Sequence, residues 1–216
     1  MKVGDIYYAD GTTSRPTDID SSKTRLGTVV YVAQSADDPL CEGYPHGLVV
    51  SNTAVECPLW GENGDYLSDI PLDDTMAKAN ADVSGLTNTN ALLRYATYSG
   101  YEAVRVIRDW SQSHPDATSL WFLPSAGQAA AVIKAVTGQT VYDIGTSFGT
   151  YSTVSTFRSY LSAAGGAMGE YEFWALSSQY DDYDNLTLDW NSADCLLNYS
   201  SKGDDYNNVV RPFLAF

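Results

Sequence analysis

Apolar residues along the chain change period twice. Residues 1 to 60 carry short β-patterned runs. Ile6-Tyr7-Tyr8 is followed by the turn pair Asp10-Gly11, Thr28-Val29-Val30-Tyr31-Val32 is a β-branched stretch without helical character, and Gly47-Leu48-Val49-Val50-Ser51 reads as its neighbour. Residues 61 to 90 are rich in Gly, Asp, Asn and Thr and predict a long loop or insert. From Ala91 the spacing becomes helical: Leu92, Leu93 and Ala96, then Ala103, Val104, Ile107 and Trp110, interrupted at Ser99-Gly100. The pattern predicts a helix over 101–112, stopped before Pro115. A short apolar strand follows at Leu120-Trp121-Phe122-Leu123. A second helix over 127–137 has Ser125 as N-cap, and a third over 153–164 ends at Gly165-Gly166.

After residue 171 the period returns to two. Phe173 to Gln179 reads as a strand. In 186–191, Leu186, Leu188 and Trp190 alternate with Thr187, Asp189 and Asn191, so three apolar side chains face one way and three polar ones the other. Cys195-Leu196-Leu197 and Val209-Val210-Arg211-Pro212-Phe213 predict two more strands. With no internal repeat and no linker, the expectation is one α+β domain over 1–216, with 61–90 as loop or insert.

Residues 171–208 hold 5 Tyr, 7 Asp, 5 Asn and 5 Ser in 38 positions, yet their apolar residues keep strand alternation. That describes a framework carrying a polar and aromatic face. Tyrosine supplies contact area at low entropic cost, and Asn and Asp supply adaptable hydrogen bonds. Hairpin loops account for many of the Asp and Asn residues. They account less well for Thr187, Asp189, Asn191 and Tyr199, which are read as facing outward. The candidate ligand-binding residues are Tyr180, Asp181, Asp182, Tyr183, Asp184, Thr187, Asp189, Asn191, Asp194, Asn198, Tyr199, Asp204, Asp205 and Tyr206.

Composition narrows the partners. A formal charge of −15, with 12 Lys+Arg, argues against nucleic acid and against an anionic membrane surface. No apolar run reaches the roughly 20 residues of a membrane span, so direct membrane insertion is not expected. The first residues, Met1-Lys2-Val3-Gly4-Asp5, contain no apolar signal region. Three cysteines, Cys41, Cys57 and Cys195, form no CxxC pair, and His46 and His114 are far apart, so a structural zinc site is not expected. Cys41 and Cys57 could pair in an oxidising compartment; three reduced buried thiols is the other reading.

Three stretches then resemble a family. Trp121-Phe122-Leu123-Pro124-Ser125-Ala126-Gly127-Gln128, Phe173-Trp174-Ala175-Leu176-Ser177-Ser178 and the closing Val210-Arg211-Pro212-Phe213-Leu214-Ala215-Phe216 resemble marks of the C-type-lectin-like group that includes formylglycine-generating-enzyme-like domains. Val3-Gly4-Asp5-Ile6-Tyr7-Tyr8 and Gly47-Leu48-Val49-Val50 resemble its gut-bacterial members. Ala175 and Leu176 stand where serine is usual in that group. The Tyr/Asp/Asn/Ser face further resembles the variable proteins of diversity-generating retroelements, in which adenine mutation diversifies a C-terminal repeat on a fixed lectin-like scaffold. The resemblance implies a C-type-lectin-like α+β fold and a binding role. In it Trp174, Leu188, Trp190 and Arg211 serve as scaffold, and a protein or glycan on another cell or a host surface is the ligand. It also implies a cell-surface, secreted or virion-associated setting.

Enzyme readings find less support. The formylglycine-generating branch needs a close cysteine pair, and Cys195 stands alone in the C-terminal region. There is no G-x-S-x-G elbow, and Gly145-Thr146-Ser147-Phe148-Gly149 lacks P-loop spacing. No cofactor is expected. Calcium is the one ion the pattern allows, through Asp181, Asp182 and Asp184 or through Asp189 with Asn191, but the Pro-containing loop of sugar-binding C-type lectins is absent. The alternative reading is a structural or assembly module of a bacterial surface lipoprotein or appendage.

Overall fold

β-branched runs become the central strands, as the period predicts. The computed structural model describes residues 1–57, 59–115, 119–203 and 208–216. Its strands are β1 (Ile6–Tyr8), β2 (Thr13–Ser14), β3 (Arg25–Val32), β4 (Gly47–Ser51) and β5 (Val55–Glu56), then β6 (Glu172–Gln179), β7 (Asp184–Trp190), β8 (Cys195–Ser201), β9 (Asn208–Val210) and β10 (Phe213–Ala215). Between the two groups lie α1 (Met76–Ala81), α2 (Gly85–Leu92), α3 (Glu102–Ser113), α4 (Ala126–Thr137) and α5 (Tyr151–Ala163). This is an α+β protein with two five-stranded sheets. One has the order β10-β4-β3-β1-β2 and is antiparallel. The other has the order β5-β9-β6-β7-β8 and is antiparallel except for the β6/β9 pair.

The predicted strand through Val209–Phe213 is in fact two. Arg211-Pro212 breaks it, because proline has no N–H to give a ladder, and the chain passes from one sheet to the other there. β10 joins β4 in register Phe213↔Val50, Leu214↔Val49 and Ala215↔Leu48. The last carbonyl, on Phe216, accepts from His46 N and Gly47 N, so the C-terminal segment closes the N-terminal sheet.

Both sheets feed one large core. Val30, Leu48 and Val50 from the first sheet meet Ala129, Val132 and Ile133 of α4, Phe157 and Leu161 of α5, and Trp174, Leu186, Leu188 and Trp190 of the second sheet. Phe157 stacks on Trp190 at 4.8 Å, and Trp190 lies 5.4 Å from Trp174. Each such side chain contributes roughly 1.5–3 kcal/mol by burial. A second cluster joins Trp60, Leu67, Ile70 and Tyr101 to Ala103, Val104 and Ile107 of α3, and to Ala175 and Val210. It covers the other face of β6. Ala175 and Leu176, unusual for the resembled group, thus fill the two cores on opposite sides of one strand.

Arg211 and Glu172 secure the crossing point. Arg211 is 1% exposed and donates from Nε to Glu172 Oε2 at 2.7 Å and from Nη2 to Oε1 at 2.9 Å; the Ser51 and Ala167 carbonyls accept its other protons. Trp174 Nε1 donates to the same carboxylate at 2.8 Å. Burial raises the Glu172 pKa, but the Arg211 bonds and charge outweigh it and leave the pKa below its ordinary value. Trp174, Leu188, Trp190 and Arg211 are all buried.

Two sequence expectations are corrected here. The 61–90 stretch contains two helices, α1 and α2, rather than loop alone. α1 is capped locally, Thr75 Oγ1 accepting from Lys78 N, whereas α2 is supported from far away: the Glu42 carboxylate accepts from Leu86 N at 2.7 Å and Thr87 N at 3.0 Å, satisfying the free amides at its start. α1 docks so closely on α4 that a Cβ on Gly127 would meet the Asp82 carbonyl at 2.5 Å. The Leu120–Leu123 stretch is not a strand either. Phe122 alone bridges to Phe213, because the chain turns at once into α4, where Gln128 Oε1 accepts from Ser125 N at 3.0 Å.

Candidate functional site

The predicted residues on β6, β7 and β8 divide among three places. At one end of the hairpin, Tyr180 N and Asp181 N donate to the Asp184 carbonyl. Asp181 Oδ1 accepts from Tyr183 N and Asp184 N, both at 2.7 Å, so this carboxylate is used to build the turn. Asp182 and Tyr183 are left exposed at the tip. Tyr180 stacks on Tyr199 at 4.8 Å, with planes 13° apart.

Asn191 and Asp194 lie at the far end of β7. Seven residues of strand separate the two turns, about 23 Å at the usual rise. Asn191 Nδ2 donates to Asp194 Oδ1, and Asn191 Oδ1 accepts from Ala193 N and Asp194 N. Both side chains shape their own turn.

Thr187, Asp189 and Asn198 lie between the ends, and here the sequence reading is corrected. Thr187 and Asp189 are 1% and 4% exposed, not outward-facing. Alternation put them opposite Leu186, Leu188 and Trp190, which is right, but their side of the sheet is covered as well. Thr187 pairs in register with Ala175, and Ala175 is packed under Trp60 and Tyr101. Tyr199 pairs with Leu186 and so belongs to the opposite face from Thr187. The proposed single face is therefore split across the sheet. Asp204, Asp205 and Tyr206 lie outside the described residues.

The buried polar row on β7 is incompletely satisfied. Asn198 Nδ2 donates to Asp189 Oδ2 at 2.8 Å, but Asp189 Oδ1, Thr187 Oγ1 and Asn185 Oδ1 have no partner of good geometry. Burial pushes the Asp189 pKa up to about 6, and the neighbouring Thr187 hydroxyl and Asn198 amide pull it back only in part.

A residue that the sequence reading passed over organises the exposed end. Lys202 is fully buried, and its Nζ donates to the carbonyls of Asp65 and Asp181, each at 2.7 Å, and to Gln179 Oε1 at 3.2 Å. The ammonium also lies 5.5 Å over the Trp60 ring. Burial lowers its pKa, opposed by the charges of Asp181, Asp182 and Asp65. Gln179 Nε2 in turn donates to the carbonyls of Leu67 and Ile70. Gly64 N donates to the Asp182 carbonyl at 3.0 Å, and Asn63 Oδ1 accepts from Ser201 Oγ and Gly203 N. The 62–70 loop is thus fastened beside the Asp181–Asp184 turn. More than 100 residues separate these partners along the chain, and no local pattern marks such a contact.

The chemistry on offer is recognition by rings, carboxylates and amides. All three cysteines are free and buried, with Cys41 and Cys57 in different cores. Burial, with nearby carboxylates, pushes each thiol up to about 12, so none is a thiolate at neutral pH. Among the described residues no three His, Cys, Asp or Glu side chains converge as a metal site, and the calcium pattern through Asp181, Asp182 and Asp184 is not assembled. His114 stacks on Trp110 at 4.1 Å. A cleft of about 760 Å³ between α4 and the end of β3, lined by Tyr31, Leu40, Ala130 and Lys134 among others, contains none of the sequence-predicted residues. Among the described residues no helix is long and apolar enough to cross a membrane.

No protein-family model and no curated protein matches the chain. Its fold is similar to that of a fimbrial protein from Bacteroides ovatus ATCC 8483, known from a crystal structure at 1.85 Å. The TM-score is 0.62 and the identity 17%, over 100% of this chain and 49% of the other. The chain spans about half the length of that protein, and what the two share at this identity is the fold.

Proposed function

We propose that this chain is a ligand-binding display domain of C-type-lectin-like architecture, carried on a bacterial surface appendage and recognising a protein or glycan rather than catalysing a reaction. The observation that carries the proposal is the exposed end of the second sheet. Tyr183, Asp182 and the Tyr180–Tyr199 stack are presented there on a turn whose Asp181 carbonyl is held by buried Lys202. Rings and carboxylates on a rigid support lose little entropy on binding. The fold likeness to a fimbrial protein supports the surface setting. The finer reading, a variable protein of a diversity-generating retroelement, rests on residue types. It expects a near-copy of the last hundred or so coding bases, differing at adenines, beside the gene.

The fimbrial likeness also favours a second reading, a structural or assembly module whose acidic surface is merely solvated. A screen of glycan and cell-surface-protein arrays separates the two. The display reading expects a bound ligand that is lost by a folded Asp182→Ala/Tyr183→Ala/Tyr199→Ala variant. Equal binding by both proteins, or by neither, sinks it in favour of the assembly module.

A further inference from the structure

Beside the Asp181–Asp184 turn lies a group of aromatic rings outside the C-terminal region. Tyr95 stacks on Tyr101 at 5.2 Å, and Tyr98 lies 6.4 Å edge-on to Tyr101. Tyr101 is buried and its hydroxyl donates to Asp65 Oδ2 at 2.8 Å, so the stack is anchored from beneath. Tyr98 is 59% exposed, and Tyr66, next to Asp65, is 53% exposed. Continuity with the turn runs through Asp65, whose carbonyl accepts from Lys202, and through Gly64, whose N–H donates to the Asp182 carbonyl and where a Cβ would lie 3.9 Å from the Tyr183 ring.

Charge around these rings is one-sided. Arg94 is taken by Asp69 at 2.7 Å, and Lys202 is buried. Among the described residues Glu62, Asp65 and Asp182 form no ion pair. Exposed tyrosine faces beside unpaired carboxylates attract guanidinium and ammonium groups twice over, through the ring quadrupole and through net charge. The charge of −15 steers a cationic surface toward the molecule and repels an anionic one.

We propose that the recognition surface extends from the Asp181–Asp184 turn across Tyr66, Tyr95 and Tyr98, and that its partner is a protein surface presenting arginine and lysine side chains. This rests on the display reading and names the partner class for it. Tyrosine and arginine are the residues that most often dominate protein interfaces, which suits such a pair.

The test uses an (Arg-Gly)5 peptide titrated calorimetrically into the whole chain at two salt concentrations. Tyr66→Ala with Tyr98→Ala leaves net charge unchanged and is expected to weaken binding roughly ten-fold, at two- to five-fold per exposed ring. Tyr142→Ala with Tyr151→Ala, two exposed rings outside the patch, should leave affinity as it was. Equal weakening by both pairs, or by neither, overturns the proposal by showing attraction to charge alone. On the arrays, salt-insensitive capture of glycans would overturn the basic-partner class while leaving the display reading intact. Capture abolished by Tyr183→Ala/Tyr199→Ala but untouched by Tyr66→Ala/Tyr98→Ala would confine the site to the Asp181–Asp184 turn and the Tyr180–Tyr199 stack. Capture indifferent to both pairs would sink the display reading as well.

Discussion

Asp189→Asn should make this protein more stable at neutral pH, and more so as pH rises. Asp189 is 4% exposed, has one amide donor on Oδ2 and none on Oδ1. Its pKa rises from the ordinary 3.8 to about 6, chiefly because burial disfavours the charge. A carboxyl with a raised folded pKa holds its proton more tightly in the native state. Stability is therefore full below the unfolded pKa, falls between about pH 4 and pH 6, and stays reduced above that. A shift of about 2 units at 1.36 kcal/mol each corresponds to about 3 kcal/mol, an upper figure at order-of-magnitude precision. Asparagine carries no charge, keeps an oxygen for the Asn198 amide, and offers an N–H that the Thr187 hydroxyl oxygen can accept. Urea unfolding of both proteins at pH 4, 5, 6 and 7.5 isolates this group, because every other titration cancels in the difference. The expected difference is near zero at pH 4 and about 2 kcal/mol or more in favour of the variant at pH 7.5. A difference independent of pH, or a variant less stable at pH 7.5, would mean that the ionised carboxylate is well partnered, and would refute the reasoning.

Two further substitutions test the supports of the site. Gly127→Ala should cost about 1–3 kcal/mol, although alanine normally favours a helix, because its Cβ would meet the Asp82 carbonyl at 2.5 Å and the Asn80 carbonyl at 2.9 Å; a raised urea midpoint would count against this. Lys202→Met should cost about 2 kcal/mol by leaving the Asp65 and Asp181 carbonyls and Gln179 without their donor, and should speed amide exchange in residues 62–70 and 180–184 over the rest of the chain. Exchange that rises uniformly, or not at all, would show that Lys202 does not hold the two loops together.

The elements legible in the sequence are those whose signal is local. β3 and β4 show as β-branched runs, β7 as strict alternation, and α4 as Ser125 followed three residues later by Gln128. α2 is illegible because Gly85-Leu86-Thr87-Asn88-Thr89-Asn90 has poor helix propensity and the carboxylate that caps it belongs to Glu42, whereas α1, though capped locally by Thr75, is only six residues long and shows no apolar period. The site divides along the same line. Tyr183 and Asp182 follow from turn composition. Alternation says that Thr187 and Leu188 face opposite ways, but which face meets water depends on Trp60 and Tyr101 folding over Ala175 from far along the chain. Lys202, polar and without periodicity, gives no sign in the sequence that its ammonium is enclosed.

That buried row has a consequence for how the scaffold can change. Asn185, Thr187 and Asp189 leave polar atoms unpaired along a single strand, a departure from polar satisfaction of the kind found where something other than stability is being served. Stability comes from the other side of the same strand, where Leu186, Leu188 and Trp190 lock into the aromatic core, and from the Arg211–Glu172 pair below β6. Replacing Thr187 with valine of similar shape removes a hydroxyl that helps to hold down the Asp189 pKa, so it should be near neutral at pH 4 and destabilising by up to about 1 kcal/mol at pH 7.5. A strand built in this way separates the residues that hold the fold from those that do not. Because Trp60 and Tyr101 cover that face through Ala175, substitution there changes the second core and leaves in place the rings and carboxylates at the sheet's exposed end.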